Sequence, residues 1–287
     1  MLADPLEAEL GEIVQAVIVG IVQGLTEFLP VSSSAHLILL PRVLGWDDAL
    51  INSSVFVVML HMGTLAALLL YFWREVLTLL AAFVALVRER SFGDDPDRKL
   101  ALVLLLTVIP AALFGVFFEN WIDEFFYDSV VVIPFILVVG AGLLWLAERV
   151  GTRSRDLRQA DYGDAAFIGV AQALALFPGI SRSGSTIAAG LFRGLKRDDA
   201  ARFAFLMGIP IIAGAGLWKT REVVSGDAGD VDIAVLLAGV AAAAISGWLA
   251  IGFLLRYLRG HSTGIFIAYR LVAAAVFLVL LVWQGRV

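Results

Sequence analysis

Two polar segments interrupt a chain whose residues are 60% hydrophobic. In the first segment, Gln23 and Glu27 lie four positions apart, which places both side chains on one face of a helix. An ionisable residue in such apolar surroundings is a candidate functional residue, because an unpaired charge there is unfavourable. Glu27 could bind a divalent cation, act as a general base, or pair with an arginine elsewhere in the chain.

Three serines and a histidine follow Glu27 closely. Ser32, Ser33 and Ser34 come directly after Pro30-Val31, and His36 follows them. A serine hydroxyl becomes an effective nucleophile when a base lies within hydrogen-bond reach. The spacing of three allows Ser33 and His36 to meet in a turn or a half-helix, with His36 as the base. Serines also cap helices, so this spacing alone does not establish catalysis.

The second segment places an arginine among small polar residues, in the run Pro178-Gly179-Ile180-Ser181-Arg182-Ser183-Gly184. A helix that begins here directs backbone N–H groups towards an anion. The guanidinium group can bind two phosphate oxygens at once. We therefore predict a phosphate site at Arg182, although Arg182 could also neutralise Glu27. The predicted substrate-binding residues around it are Ser32, Ser34, Ser181, Ser183, Gly184 and Thr186.

Other notable residues have simpler interpretations. Gly20 and Gly24 form a pair of small residues that favours close helix packing. His61 lies alone within an apolar stretch, where packing or hydrogen bonding is the commoner role. Arg270 is near the start of the last apolar stretch, where its long side chain could extend to the cytoplasmic surface, so we leave it out of the predicted site.

The composition predicts the elements that must position these residues. The chain has 287 residues, only 16% of them charged, and a mean hydropathy of +0.91. Soluble domains are nearer half apolar and a quarter charged. The sequence therefore predicts an all-α polytopic membrane protein that forms a single membrane domain over residues 1–287, with no nucleic-acid partner. The chain has no cysteine, which excludes disulfides and thiolate nucleophiles or ligands.

Eight apolar stretches divide into two kinds. We predict six transmembrane helices, since about 20 apolar residues cross about 30 Å of hydrocarbon. They are Ser53–Phe72, Leu100–Phe118, Val130–Ala147, Phe203–Leu217, Ile233–Leu254 and Ile265–Trp283. The other two stretches, Ile13–Leu40 and Ala165–Leu195, are each broken near the middle by Pro, Gly and Ser. Irregular backbone at membrane depth must be buried in protein or line a wet cavity, so we interpret both as re-entrant helix hairpins.

The distribution of basic residues agrees with this arrangement. Apart from Arg182 and Arg270, most arginines and lysines fall on one side of the membrane. Only Arg42, Lys219, Arg221 and Arg286 fall on the other side. Such a bias marks the basic side as cytoplasmic. We therefore expect a multi-pass protein of the cell membrane with both termini outside.

The chain also repeats itself. Gly20–Phe28 aligns without gaps on Gly169–Phe177, and both copies lead into a proline and then serines. The two hairpins enter from opposite sides, so the halves, approximately 10–147 and 160–287, would be inverted repeats. Inverted repeats with broken helices place their site at the repeat interface, near the midplane.

Two classes of function agree with these residues. One is an intramembrane enzyme that cleaves a lipid-linked phosphate, with Ser33 or His36 as nucleophile. The other is a secondary transporter or a lipid flippase, which inverted repeats favour as an architecture. A transporter needs a charged binding site but no activated nucleophile. The serine–histidine cluster therefore favours the enzyme.

The two polar segments, Gln23–His36 and Pro178–Ile187, closely resemble the signature motifs of the undecaprenyl-diphosphate phosphatases of the bacitracin-resistance type. The resemblance implies removal of the terminal phosphate from a polyprenyl diphosphate in the membrane. The product would be the monophosphate carrier used in surface glycan synthesis, and the activity would be linked to antibiotic resistance. The resemblance also implies an interdigitated inverted-repeat fold with a site open to the outer face; a homodimer is compatible with it.

Roles for individual residues follow from the same resemblance. By position, Glu27 corresponds to the acid of the motif, Ser33 and His36 to its nucleophile and base, and Arg182 to its phosphate-binding arginine. Which of Ser33 and His36 receives the phosphoryl group stays open. A divalent cation, Mg²⁺ or Ca²⁺, is expected at Glu27 and Gln23. Gln23 stands where many relatives have a glutamate, so this site would hold one carboxylate fewer.

Overall fold

A computed structural model describes residues 5–46, 50–51, 53–93, 95–225 and 232–285, without the side chains at 5–9, 119, 120, 123, 127, 128 and 218–225. These residues form twelve α-helices and one short 3₁₀ helix, Leu157–Gln159. The α-helices are α1 (Pro5–Phe28), α2 (Ser33–Leu44), α3 (Ser54–Tyr71), α4 (Trp73–Glu89), α5 (Pro96–Leu106), α6 (Val108–Asp128), α7 (Val132–Val150), α8 (Tyr162–Leu174), α9 (Arg182–Phe192), α10 (Arg197–Ser225), α11 (Ile233–Leu258) and α12 (Gly264–Trp283). The all-α prediction is confirmed for this part of the chain.

Seven helical segments of the described chain are long and apolar enough to cross a membrane. Six of them correspond to the six predicted spans. One of these six, Pro96–Phe118, is broken at Thr107 between α5 and α6. The seventh is Leu10–Phe28, most of which we predicted to be part of a re-entrant hairpin. It reaches this length because α1 is one continuous helix of 24 residues. The chain is thus multi-pass, with one more candidate span than predicted.

The two broken stretches form two helix pairs, α1 with α2 and α8 with α9, and the members of each pair pack against each other. The breaks share an unusual backbone conformation. Ser32 has φ 76° and Ser181 has φ 75°, in the left-handed region that serine rarely adopts. Each of these serines also caps the helix that follows, accepting a hydrogen bond from the N–H of Ala35 or Gly184. Ser32 and Ser181 occupy equivalent positions in the ungapped alignment of the two segments.

Small residues hold α1 close to α11, as the Gly20–Gly24 spacing predicted. A Cβ atom on Gly20 would lie 2.3 Å from the Gly239 carbonyl oxygen. One on Gly24 would lie 2.0 Å from the Ser246 hydroxyl. Neither position therefore accepts a side chain without a shift of α11. This packing fixes the end of α1 that carries Glu27.

Candidate active site

Glu27 joins the two polar segments. It lies at the end of α1 and is only 5% exposed. Ser33 donates its hydroxyl hydrogen to Glu27 Oε2 at 2.7 Å, and Arg182 donates from Nη2 to Oε1 at 2.9 Å. Gln23 donates from Nε2 to Oε2 at 3.2 Å, one helical turn away. The predicted meeting of the two segments is confirmed, and its centre is this carboxylate.

Arg182 reaches Glu27 from the first turn of α9, across the surface of α10. Its Nη1 atom lies 3.5 Å from the carbonyl oxygen of Ala204. Gly208, one turn further along α10, provides the space, since a Cβ atom there would lie 1.9 Å from Nη1. The side chain is 16% exposed. Arg182 is therefore positioned by a glycine that the sequence analysis did not assign to the site.

His61 also contacts the central carboxylate. Its Nδ1 atom donates to the Val57 carbonyl oxygen at 2.8 Å, because a carbonyl oxygen can only accept. The other ring nitrogen, Nε2, lies 3.5 Å from Glu27 Oε2, and 29% of the side chain is exposed. We expected His61 to serve in packing or hydrogen bonding. Its partner is Glu27, so it belongs to the site.

The predicted contact between Ser33 and His36 is wrong. His36 Nδ1 donates to the Ser32 carbonyl oxygen at 2.7 Å, and Nε2 lies 2.8 Å from the Tyr269 hydroxyl. The His36 ring also stacks on the Tyr269 ring, with centroids 5.7 Å apart. Both ring nitrogens are thus engaged elsewhere, while the Ser33 hydroxyl donates to a carboxylate, a stronger acceptor than a neutral imidazole. The spacing of three brought the residues into one turn but did not fix the direction of either side chain.

The remaining predicted substrate-binding residues line the two breaks. The Ser32 and Ser34 hydroxyl oxygens lie 3.2 Å apart, as do those of Ser181 and Ser183. Ser183 also donates to the Leu29 carbonyl oxygen at 3.1 Å, which links the second break to the first. The N–H of Gly184 donates to Ser181 Oγ, and Thr186 donates to the Arg182 carbonyl oxygen at 2.7 Å. These groups are near Arg182, and their binding roles stay predictions.

Arg270 does not extend to the surface. It is fully buried in α12 and donates to backbone carbonyl oxygens of both breaks. Nη2 lies 2.7 Å from the Gly179 oxygen and 3.0 Å from the Ile180 oxygen, and Nη1 lies 3.3 Å from the Pro30 oxygen. The position of Arg270 in the second turn of an apolar helix was the signal for this role. Six residues from the start of α12 place it about 9 Å along the axis, too deep for an easy return to water.

The chain matches known proteins over almost its whole length. A family model described as bacitracin resistance protein BacA matches residues 16–276, a range that contains both breaks. The chain belongs to the BacA family. It is 48% identical over 271 residues to an undecaprenyl-diphosphatase of Thermomicrobium roseum, an alignment that covers 92% of this chain and 96% of the relative. The resemblance inferred from the two motifs is confirmed.

Two further BacA-family relatives show the same extent of similarity. An undecaprenyl-diphosphatase of Moorella thermoacetica is 43% identical over 274 residues, covering 96% of this chain and 99% of the relative. One of Geobacter sulfurreducens is 44% identical over 262 residues, covering 91% and 96%. The chain therefore corresponds to these relatives as whole proteins.

Proposed function

We propose that this BacA-family protein is an integral membrane phosphatase that hydrolyses undecaprenyl diphosphate, or a similar polyprenyl diphosphate, to the monophosphate and inorganic phosphate. Its product would return to use as the lipid carrier of surface glycan synthesis. The observation that carries the proposal is the buried carboxylate of Glu27, which contacts a serine hydroxyl and an arginine at once. Curated relatives of similar length are undecaprenyl-diphosphatases.

In the proposed reaction, Ser33 Oγ attacks the terminal phosphorus, and the bond from that phosphorus to the bridging oxygen breaks. The hydroxyl proton passes to Glu27 Oε2, 2.7 Å away. The prenyl monophosphate leaves. A water molecule then displaces Ser33 Oγ from the phosphoserine to give inorganic phosphate and the Ser33 hydroxyl, and Glu27 loses its proton to solvent. A carboxylate is a weak base, but a weak base is sufficient, because the nucleophile forms little bond to phosphorus in the loose transition state of phosphoryl transfer. His36 holds the turn that carries Ser33, through the Ser32 carbonyl oxygen.

Arg182 is proposed to bind the diphosphate while it stays paired with Glu27. Nη2 faces the carboxylate, whereas Nη1 makes only a long contact with Ala204 among the described residues. An N–H on the Nη1 side is therefore available to a phosphate oxygen. Positive charge that is fixed in place before the reaction stabilises the charge that develops on the transferred phosphoryl group.

A divalent cation such as Mg²⁺ or Ca²⁺ is part of the proposal. Gln23 Oε1 is buried without a hydrogen-bond partner among the described residues, and the other amide atom of Gln23 contacts Glu27. Carboxylate and amide oxygens suit a hard cation, but two such ligands are too few. The donor set therefore fits a cation that is completed by phosphate oxygens of the substrate. Bound there, the cation would neutralise phosphate charge.

The two helix pairs are proposed to be re-entrant. At 1.5 Å per residue, the 13 residues of α8 extend about 20 Å, less than the hydrocarbon thickness of about 30 Å. Arg182, at the start of α9 after the break that follows α8, would then lie inside the membrane. Glu27 bonds Arg182, so the end of α1 lies at the same depth. We propose that α1 begins outside the hydrocarbon and returns through α2, and that the site opens to the outer face.

The decisive experiment is phosphate release by the purified protein in detergent. Given undecaprenyl diphosphate, it should yield the monophosphate and inorganic phosphate in equal amounts. A protein that only moves lipid across the membrane would release no phosphate. That outcome, from folded protein supplied with Mg²⁺ or Ca²⁺, would reject the phosphatase and leave the transporter class.

A further inference from the structure

A cavity of about 780 Å³ lies beside the last turns of α11 and shares no residue with the candidate active site. One wall is formed by the end of α11 from Trp248 onward, together with Arg259 and His261 just after it. Tyr71 at the end of α3 forms the other side. Nothing in the proposed phosphatase reaction uses these residues.

The cavity exists because two parallel neighbouring helices, α3 and α11, end at different levels along their common direction. Helices α3 and α11 run side by side in the same direction, with Gly63 against the Val240 carbonyl group. Further along, the Tyr71 ring lies 6.3 Å from the Trp248 ring. There α3 ends and the chain continues into α4 at Trp73, whereas α11 continues to Leu258. The last turns of α11 therefore lack α3 as a neighbour, and a groove remains.

The groove changes its chemistry along α11. Its inner part is formed by Trp248, Leu249 and Phe253, each about half exposed. Its outer part carries Arg256 and Arg259, followed by His261. Trp248 and Arg259 are eleven residues apart, about 16 Å along a helix axis. This order, an apolar wall and then cations, matches a phospholipid whose acyl chain lies inward and whose phosphate lies at the membrane surface.

The charges around the outer end are mainly positive. No carboxylate is among the described residues that line the cavity. An adjoining cavity shares Tyr71 and Arg259 and adds Arg74 and Arg202. Among the described residues, two carboxylates form ion pairs with these arginines. Glu75 pairs with Arg202, and Asp198 lies 3.7 Å from Arg259 Nε. A surplus of positive charge therefore faces whatever occupies the groove.

We propose that this groove binds an anionic phospholipid of the leaflet on the arginine-rich side of the membrane. The acyl chain would lie on Trp248 and Phe253, and the phosphate would lie between Arg256 and Arg259. Basic pockets between transmembrane helices on the cytoplasmic side suit anionic headgroups. A water-soluble acidic partner would leave the apolar half of the groove uncovered, so the order of residues favours a lipid.

The test compares lipid binding by the purified full-length protein in a neutral detergent, using phosphatidylglycerol and phosphatidylcholine as probes. The wild type should bind phosphatidylglycerol at least tenfold more tightly than phosphatidylcholine. The Arg256→Gln, Arg259→Gln double variant should lose this preference. A matched control, Arg88→Gln with Arg149→Gln, removes two exposed arginines outside the groove and should keep it. Phosphate release should be unchanged in both, since neither pair is in the candidate active site.

A second variant tests the apolar half of the groove without changing the charge. Gly252 lines the cavity, and a Cβ atom there would make only an ordinary contact of 3.5 Å with the Tyr71 ring. Gly252→Phe should therefore fold, fill the groove and weaken phosphatidylglycerol binding at least tenfold. The proposal is overturned if the arginine double variant keeps its lipid preference, or if the control loses it equally. If the double variant does not fold, undiminished binding by Gly252→Phe overturns it alone.

Discussion

Among single residues, Glu27 has the most demanding position, because three side chains donate hydrogen bonds to it and His61 lies beside it. A buried carboxylate needs such partners whatever it does, since an unpaired buried charge is strongly destabilising. The hydrogen bonds alone therefore do not distinguish a catalytic base from a structural ion pair. The chemistry of its neighbours does, and two substitutions separate the roles.

Ser33→Ala should abolish most hydrolysis while the protein stays folded and in the membrane. The change removes the hydroxyl group that donates a hydrogen bond to Glu27 and that we propose as the nucleophile. Ser54→Ala is the matched control, because Ser54 is exposed at the start of α3 and lies outside both polar segments. Phosphate release and thermal melting would be measured on both. Near-normal turnover of Ser33→Ala, together with an inactive His36→Ala, would replace the serine route by a phosphohistidine.

Arg182→Lys should lose roughly ten- to a thousandfold in turnover, on the order of 1.4–4 kcal/mol of transition-state stabilisation. Lysine keeps the charge beside Glu27 but cannot hold the carboxylate and a phosphate oxygen with one planar group. Melting should change little for the same reason. If the pair were only structural, lysine would retain activity and the Glu27→Gln, Arg182→Gln double mutant would be active. An active double mutant would remove both residues from the mechanism.

The sequence was informative about which residues matter and less so about what they contact. Glu27 and Arg182 were found because charges in apolar surroundings need a function or a partner. Arg270 was left out of the predicted site, because an arginine in the first turns of a span can return to water. Only the fold shows that backbone carbonyl groups of both breaks surround it. Tyr269, the partner of His36, carried no signal, because tyrosines are common near membrane surfaces.

Among the helices, α10 positions Arg182 because Gly208, which has no side chain, leaves room for the guanidinium group. Gly208→Ala would place a methyl carbon 1.9 Å from the present position of Arg182 Nη1, so the guanidinium group must shift from its place beside Glu27. We expect a loss of phosphate release comparable to that of Arg182→Lys. Gly214→Ala is the control on the same helix, because nothing lies within 4 Å of its added Cβ. Equal activity of the two variants would show that Arg182 tolerates the shift.

An ion-pair cluster fixes α8 and α9 at the arginine-rich end. Asp164, fully buried at the start of α8, accepts hydrogen bonds from Arg155 at 2.7 Å and from Arg193 at 2.6 Å. Burial by itself would raise the pKa of the Asp164 carboxyl group, but these hydrogen bonds outweigh it and lower the pKa below its ordinary value. The carboxylate form is thus favoured in the folded protein.

The sign of the pH dependence follows from that shift. A lowered pKa contributes stability above the unfolded pKa of about 3.9, and this contribution is lost as the pH falls towards the folded value. We expect the melting temperature to be steady at neutral pH and to fall in acid. Asp164→Asn should melt lower than wild type at pH 7, and the difference should shrink as the pH falls below about 4. A difference that stays constant in acid would show that the Asp164 carboxylate is not its source.

At the scale of the whole molecule, the apolar pattern predicted the fold class and six of the seven candidate spans in the described part of the chain. Two details could not be predicted. One is the length of α1, because the acidic residues before Ile13 gave no indication that the helix begins as early as Pro5 and is long enough to cross a membrane. The other is the break at Thr107. A single threonine within an apolar run does not indicate a break, and its hydroxyl donates to the Leu104 carbonyl oxygen of the preceding turn.

The orientation of the protein rests on charge, and cysteine labelling tests it directly because the chain has no cysteine of its own. The predicted bias towards one side includes Arg158, which is exposed on the connection before α8. On the sparse side, the side chains of Lys219 and Arg221 and the whole of Arg286 lie outside the described residues, so the structure does not test their part of the prediction. Glu124, in α6 beyond the span that ends at Phe118, lies at the end we propose to be outside.

Single cysteines at Glu124 and Arg158 should therefore label from opposite sides in intact cells. A membrane-impermeant maleimide added outside should modify Glu124→Cys, and Arg158→Cys should react only after the membrane is opened. The physical reason is the attraction of arginines to the cytoplasmic side during insertion.

A third cysteine at Gly45, just after α2, distinguishes the two possibilities for the first helix pair. If α1 and α2 form a re-entrant hairpin, Gly45→Cys labels from outside like Glu124→Cys; if α1 crosses the membrane and α2 follows it to the other surface, it labels like Arg158→Cys. Labelling of both Glu124→Cys and Arg158→Cys from outside would overturn the orientation and, with it, the outer-facing site.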